Sequence, residues 1–103
     1  AEAAIIGRMG TLEISGQIDR LIVTASYIKL ADFKTGRPSA SPPEAYLRQM
    51  ALYMGLLKQL YPDRAFHSFL IWTQSAEIMP LLNEQLNAYL NTITGANAFN
   101  NEK

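Results

Sequence analysis

An α/β fold, built as one mixed sheet with helices packed on it, is predicted by three observations. Three strand-like runs open the chain. A helical stretch follows a loop dense in glycine, proline and serine. A near-continuous apolar run from Ala65 to Thr73 then returns to strand character. A meander followed by a helix and a buried strand packs as a mixed sheet under helices.

Each element has its own signal. Ala3-Ala4-Ile5-Ile6-Gly7-Arg8 reads as a first strand, closed by a turn at Met9-Gly10-Thr11. Leu12 to Thr24 reads as a second strand bent at Ser15-Gly16, where glycine marks a bulge. Tyr27 to Thr35 is a third. The loop Gly36-Arg37-Pro38-Ser39-Ala40-Ser41-Pro42-Pro43 leads into a helix, with Ser41 or Pro42 near its N-cap and Glu44 in its first turn. Leu47, Met50, Ala51, Met54, Leu57 and Leu60 recur at helical spacing, and Tyr61-Pro62-Asp63-Arg64 stops the helix. Ala65 to Thr73 is apolar enough for a central strand. Glu77 to Leu81 is a short edge strand, and Asn83 to Ile93 is a terminal helix. The order is strand, strand, strand, helix, strand, helix. It predicts one domain over residues 1–94 and a frayed polar tail over 95–103.

Bulk composition narrows the function. The chain has 103 residues and a formal net charge of zero, so no lysine and arginine surplus drives it onto nucleic acid by charge alone. It has no cysteine, which excludes disulfides, zinc–thiolate sites and iron–sulfur clusters within the chain. No apolar run approaches transmembrane length, which predicts no membrane partner and a cytoplasmic home. Strand-like sequence begins within a few residues of Ala1, so the chain reads as a piece of a longer protein.

Chemistry concentrates in two segments, Gly16-Gln17-Ile18-Asp19-Arg20-Leu21 and Ala31-Asp32-Phe33-Lys34-Thr35-Gly36. They put two carboxylates and a lysine into strand-like runs, where a charge is expensive unless it is paired or binds a metal. A hairpin centred at Ala25-Ser26 sets Asp19 opposite Asp32 and Gln17 opposite Lys34. All four then share a face with Leu21, Val23, Ile28 and Leu30. Two ionised carboxylates that close repel unless a cation lies between them, and Mg²⁺ or Mn²⁺ favours such oxygen ligands. The plain alternative is a salt bridge from Asp19 to Arg20 or Lys34 at a sheet edge. Ala-Ser is poor chemistry for a tight hairpin turn, and a one-residue slip would put the aspartates on opposite faces. Lys34, two residues after Asp32 on the same face, favours a site.

Other candidates are weaker. His67 is the only histidine, so it reads as a strand residue with a satisfied hydrogen bond. Trp72 and Phe69 read as core rather than as base-stacking platforms. Arg37 and Arg48 flank the segments and read as solvated surface. There is no Gly-x-Ser-x-Gly and no P-loop, so serine hydrolase chemistry and nucleotide hydrolysis are not supported within this chain.

Asp19 followed by Asp32-Phe33-Lys34 resembles the signature of the PD-(D/E)XK nuclease superfamily. Joined to Gly16-Gln17-Ile18-Asp19-Arg20-Leu21, Thr35-Gly36 and Gln49-Met50-Ala51-Leu52-Tyr53, it is similar to the RecB-like branch. Within that branch it is most similar to the C-terminal nuclease domain of bacterial AddA-type helicase–nuclease subunits. The resemblance spans about Ala1 to Leu81. It implies a restriction-endonuclease-like core whose usual first helix lies outside this chain. It implies Asp19 and Asp32 as metal ligands, the Phe33 backbone carbonyl completing the shell, and Lys34 as the catalytic lysine. Gln49 and Tyr53, four apart on one helix face, would contact DNA or hold Lys34. Glu2, where related domains often carry a glutamate, receives little weight as a ligand.

The resemblance further implies Mg²⁺ or Mn²⁺ as cofactor and DNA as substrate. The parent would carry an ATP-driven helicase motor and work beside a second helicase–nuclease subunit in break repair and recombination. The competing expectation is a module that keeps the nuclease fold for DNA guidance or subunit docking without cleaving.

Overall fold

The computed structural model describes the backbone of residues 2–101 and the side chains of residues 2–93. Two antiparallel strands, β1 (Ala3–Met9) and β2 (Leu12–Ile18), form a hairpin. A four-stranded mixed sheet follows in the order β3 (Arg20–Val23), β4 (Tyr27–Lys34), β5 (Ala65–Trp72), β6 (Glu77–Leu81). Strand β5 runs parallel to β4 and antiparallel to β6. The helix α1 (Glu44–Leu60) makes the crossover that a parallel pair requires. Helix α2 (Asn83–Asn101) packs on α1 and touches β5. The mixed sheet and two helices are consistent with a restriction-endonuclease-like core.

The expected second strand is two strands. Leu12–Thr24 does not bend at Ser15-Gly16 but breaks at Asp19, and its halves join different sheets. Strand β2 pairs with β1, so Gln17 lies opposite Ala4 and not opposite Lys34. Ile18, fully buried, anchors the end of β2 in the core. Strand β3 keeps the expected register on β4, with Arg20 opposite Ala31 and Val23 opposite Ile28.

The weak turn at Ala25-Ser26 is held by its neighbour. The Thr24 N–H donates to the Tyr27 carbonyl at 2.9 Å, and the Thr24 hydroxyl accepts the Tyr27 N–H at 3.0 Å. Among the described residues Ala76 alone, outside glycine, has positive φ, so this turn does not use the paired positive φ angles of a type I′ loop. A side-chain oxygen replaces the turn chemistry that Ala-Ser lacks.

Helix α1 starts one residue later than expected. Pro43 is the N-cap, and its carbonyl accepts the N–H groups of Tyr46 and Leu47, each at 3.0 Å, with no side-chain cap. Its buried band is also broader than the expected stripe. It includes Tyr53, Gly55 and Leu56 as well as Leu47, Met50, Ala51, Met54 and Leu57, whereas Leu60 is 69% exposed. The cause is that α1 is covered by β1 as well as by α2. The terminal helix continues past the expected end at Ile93 to Asn101. Trp72 is buried as expected, but Phe69 lies half-buried on the sheet face away from α1, outside the core cluster.

Gly16 is required for packing rather than for a bulge. A Cβ there would collide with the Tyr53 hydroxyl and lie 2.9 Å from two carbons of that ring. Gly16→Ala should therefore destabilise the protein by about 1–3 kcal/mol, the usual cost of overpacking. Urea unfolding measures it, and Tyr53→Leu in the same chain should recover part of the loss.

Candidate active site

The break at Asp19 builds the site. Hydrogen-bonded pairs alternate along an antiparallel ladder. Thr24 and Tyr27 form one, so Ile22/Lys29 and Arg20/Ala31 follow, and Ile18/Phe33 would be next. Ile18 is instead paired with Ala3 in the hairpin. The Asp19 carboxylate takes its place: Oδ2 accepts the Phe33 N–H at 2.9 Å. In a strand, N–H and C=O of one residue point to the same side, so the Phe33 carbonyl is aimed into the same gap.

Asp19 and Asp32 face each other across this gap, close enough for each carboxyl to shift the other's pKa. Their environments differ. Asp32 is buried on the core face of β4, while Asp19 is half-buried at the bend. Burial pushes the Asp32 carboxyl above its ordinary value, and the hydrogen bond with Asp19 pushes the same way against the opposing pull of Lys34. Asp19 is held below its ordinary value, first by the hydrogen bond from Asp32 and then by the Phe33 N–H. Of the two, Asp32 therefore takes up a proton first as the pH falls.

Lys34 completes the cluster. Its Nζ lies 2.6 Å from Asp32 Oδ2, donates to Gln49 Oε1 at 3.2 Å, and sits 3.9 Å from the centroid of the Tyr46 ring. Gln49 is oriented in turn by its Nε2, which donates to the Tyr53 hydroxyl at 3.4 Å. Helix α1 thus presents Tyr46, Gln49 and Tyr53 along one face to the end of β4. A chain of polar contacts runs from Asp32 through Lys34 and Gln49 to Tyr53, and Asp19, fixed by the Phe33 N–H, faces its Asp32 end.

The expected residues are brought together with few exceptions. Asp19, Asp32, Lys34, Gln49 and Tyr53 converge, and Phe33 contributes backbone. Gln17 is exposed and elsewhere, and Glu2 is exposed at the start of β1. Among the described residues no third aspartate, glutamate or histidine joins the two aspartates as a cluster. His67 is exposed and meets Tyr27 edge-on at 6.0 Å, away from the site. Arg37 and Arg48 are exposed. The expectation omitted Tyr46, although its spacing of three from Gln49 and seven from Tyr53 marks the same helix face.

The strain of the carboxylate pair is testable. A carboxyl raised by folding favours the protonated state, a contribution present below its unfolded value and lost as pH rises through its folded value. At neutral pH the buried Asp32 charge therefore opposes folding. Asp32→Asn keeps the shape and can still donate to Asp19. In chelator at neutral pH it should melt at or above the wild-type temperature, a gain of up to about 2 kcal/mol. The difference should shrink toward pH ~4. Thermal melts over that range check this, and a lower melting temperature at neutral pH would refute it.

The chain matches the family model of the PD-(D/E)XK nuclease superfamily over residues 1–94. Comparison with curated proteins found no match. With a match over more than nine-tenths of its length, the chain belongs to the PD-(D/E)XK nuclease superfamily.

Proposed function

We propose that this protein is a metal-dependent DNA nuclease domain of the RecB-like branch, acting in an AddA-type helicase–nuclease. The observation that carries the reading is the convergence of Asp19, Asp32, Lys34 and Gln49 at the broken strand edge. Two carboxylates facing one gap, with the Phe33 carbonyl aimed toward it, are a donor set of hard oxygens. That set fits Mg²⁺ or Mn²⁺, which keeps several waters and needs few protein ligands. Asp19, Asp32 and the Phe33 carbonyl would hold the ion. When bound, it supplies a water of lowered pKa and polarises a phosphoryl oxygen.

The chain's own residues do the rest. Lys34 presents its ammonium at the edge of the carboxylate pair, where it orients the attacking water and offsets charge developing on the phosphodiester. Gln49 fixes the ammonium through Oε1, and Tyr53 fixes Gln49. The neutral net charge fits a domain whose DNA strand is delivered by other parts of a larger assembly. In this reading the parent carries an ATP-driven motor, partners a second helicase–nuclease subunit and processes broken DNA ends in the cytoplasm. Residues 1–94 form the nuclease domain, and residues 95–103 lie beyond it. Among the described residues no helix is long and apolar enough to cross a membrane.

Two measurements test this reading. Mn²⁺ or Mg²⁺ at a hundredfold excess over Kd should stabilise the wild type by about 2.7 kcal/mol and leave Asp32→Ala unchanged. In the intact helicase–nuclease, Asp32→Ala should abolish Mg²⁺-dependent cleavage while ATP hydrolysis continues. Lys34→Met should lower kcat by about 10²–10³ with ion-induced stabilisation retained. Cleavage that persists in Asp32→Ala would sink the reading in favour of a docking or guiding module.

A further inference from the structure

Lys34 has one contact that the mechanism above leaves unused. Its ammonium lies 3.9 Å from the centroid of the Tyr46 ring, well inside the range of a cation–π contact. The ring is itself braced. Tyr46 and Trp72 have centroids 6.1 Å apart at an interplanar angle of 52°, and Trp72 is buried and paired in register with Lys34 on β5. The backbone of Tyr46 is tied to Pro43 at the helix start.

We infer that Tyr46 is a positioning residue, whose ring face holds the Lys34 ammonium at the reacting edge of the site. This deepens the nuclease reading and rests on it. The physical argument concerns competition for Asp32. Lys34 has four rotatable side-chain bonds and three anchors: Asp32 Oδ2, Gln49 Oε1 and the ring. The Asp32 anchor is the shortest, yet Asp32 also faces the Asp19 carboxylate across the gap. Any further demand on the Asp32 oxygens weakens its hold on the ammonium. The ring face has no such competing demand, since no anion or cation other than Lys34 is described against it. It also fixes the ammonium from the helix side without adding an acceptor that would draw the proton. Ring and amide together keep the lysine in place while the carboxylate is engaged elsewhere.

The test uses Tyr46→Phe, which keeps the ring, and Tyr46→Leu, which removes it. In the metal-free wild type, the Lys34 ε-methylene protons should resonate upfield of ordinary lysines through the ring current. Tyr46→Phe should keep that position and Tyr46→Leu should lose it. In cleavage, Tyr46→Leu should lower kcat about tenfold, within the scale of one partly desolvated cation–π contact, with KM unchanged and Tyr46→Phe near wild type. An unshifted wild-type ε-methylene, equal losses in both variants, or a loss confined to KM would each overturn the inference. The NMR signature is read without metal or DNA. A shifted lysine in a wild-type intact helicase–nuclease that does not cleave would therefore sink the nuclease reading, and the positioning role with it, while leaving the contact itself established.

Discussion

The hydrogen bond from the Phe33 N–H to the Asp19 carboxylate is the constraint on which the rest of the structure depends. An antiparallel ladder would have given that N–H to the backbone of Ile18. Substituting a side chain for the backbone lets β2 leave the sheet without orphaning a donor. Ile18 then turns into the core under the β1–β2 hairpin, and Asp19 is held at the opening. One substitution of acceptor thus creates both the two-sheet architecture and the gap into which the carboxylates project.

Helix α1 closes this arrangement from the other side. It packs between the β1 hairpin and α2, which is why its buried band is wider than a single amphipathic stripe. Gly16 lets Tyr53 approach β2 closely enough for its hydroxyl to meet Gln49. Polar groups along the site are then satisfied in sequence: Asp32 by Asp19 and Lys34, Lys34 by Gln49 and the Tyr46 ring, Gln49 by Tyr53. Because each partner is itself fixed, an ammonium on a flexible stem acquires a defined position. Burial of Asp32 is tolerated because the Lys34 ammonium, 2.6 Å from Oδ2, offsets its charge.

Membership of the PD-(D/E)XK nuclease superfamily and this geometry reinforce each other at different levels. The family relation speaks for a nuclease in general, and the local arrangement speaks for which groups would do the work. The opposite pKa shifts of the two aspartates are the electrostatic counterpart of a cation site. Two carboxylates held this close by the fold need either a proton or a metal ion between them.

The sequence by itself determined the class of fold, the crossover helix, the edge strand over Glu77–Leu81 and the register that sets Asp19 near Asp32. Those features follow from local periodicity, from turn residues, and from a hairpin centre that fixes the pairs out to Arg20 and Ala31. Only the tertiary structure decided that Leu12–Thr24 divides at Asp19, that Gln17 belongs to the other hairpin, that Leu60 is exposed, and that Tyr46 covers Lys34. Each of these depends on which distant segment competes for a group: Ala3 for Ile18, Phe33 for Asp19, β1 for the flank of α1. Periodicity reports which residues prefer burial, but it does not report which neighbour arrives to bury them.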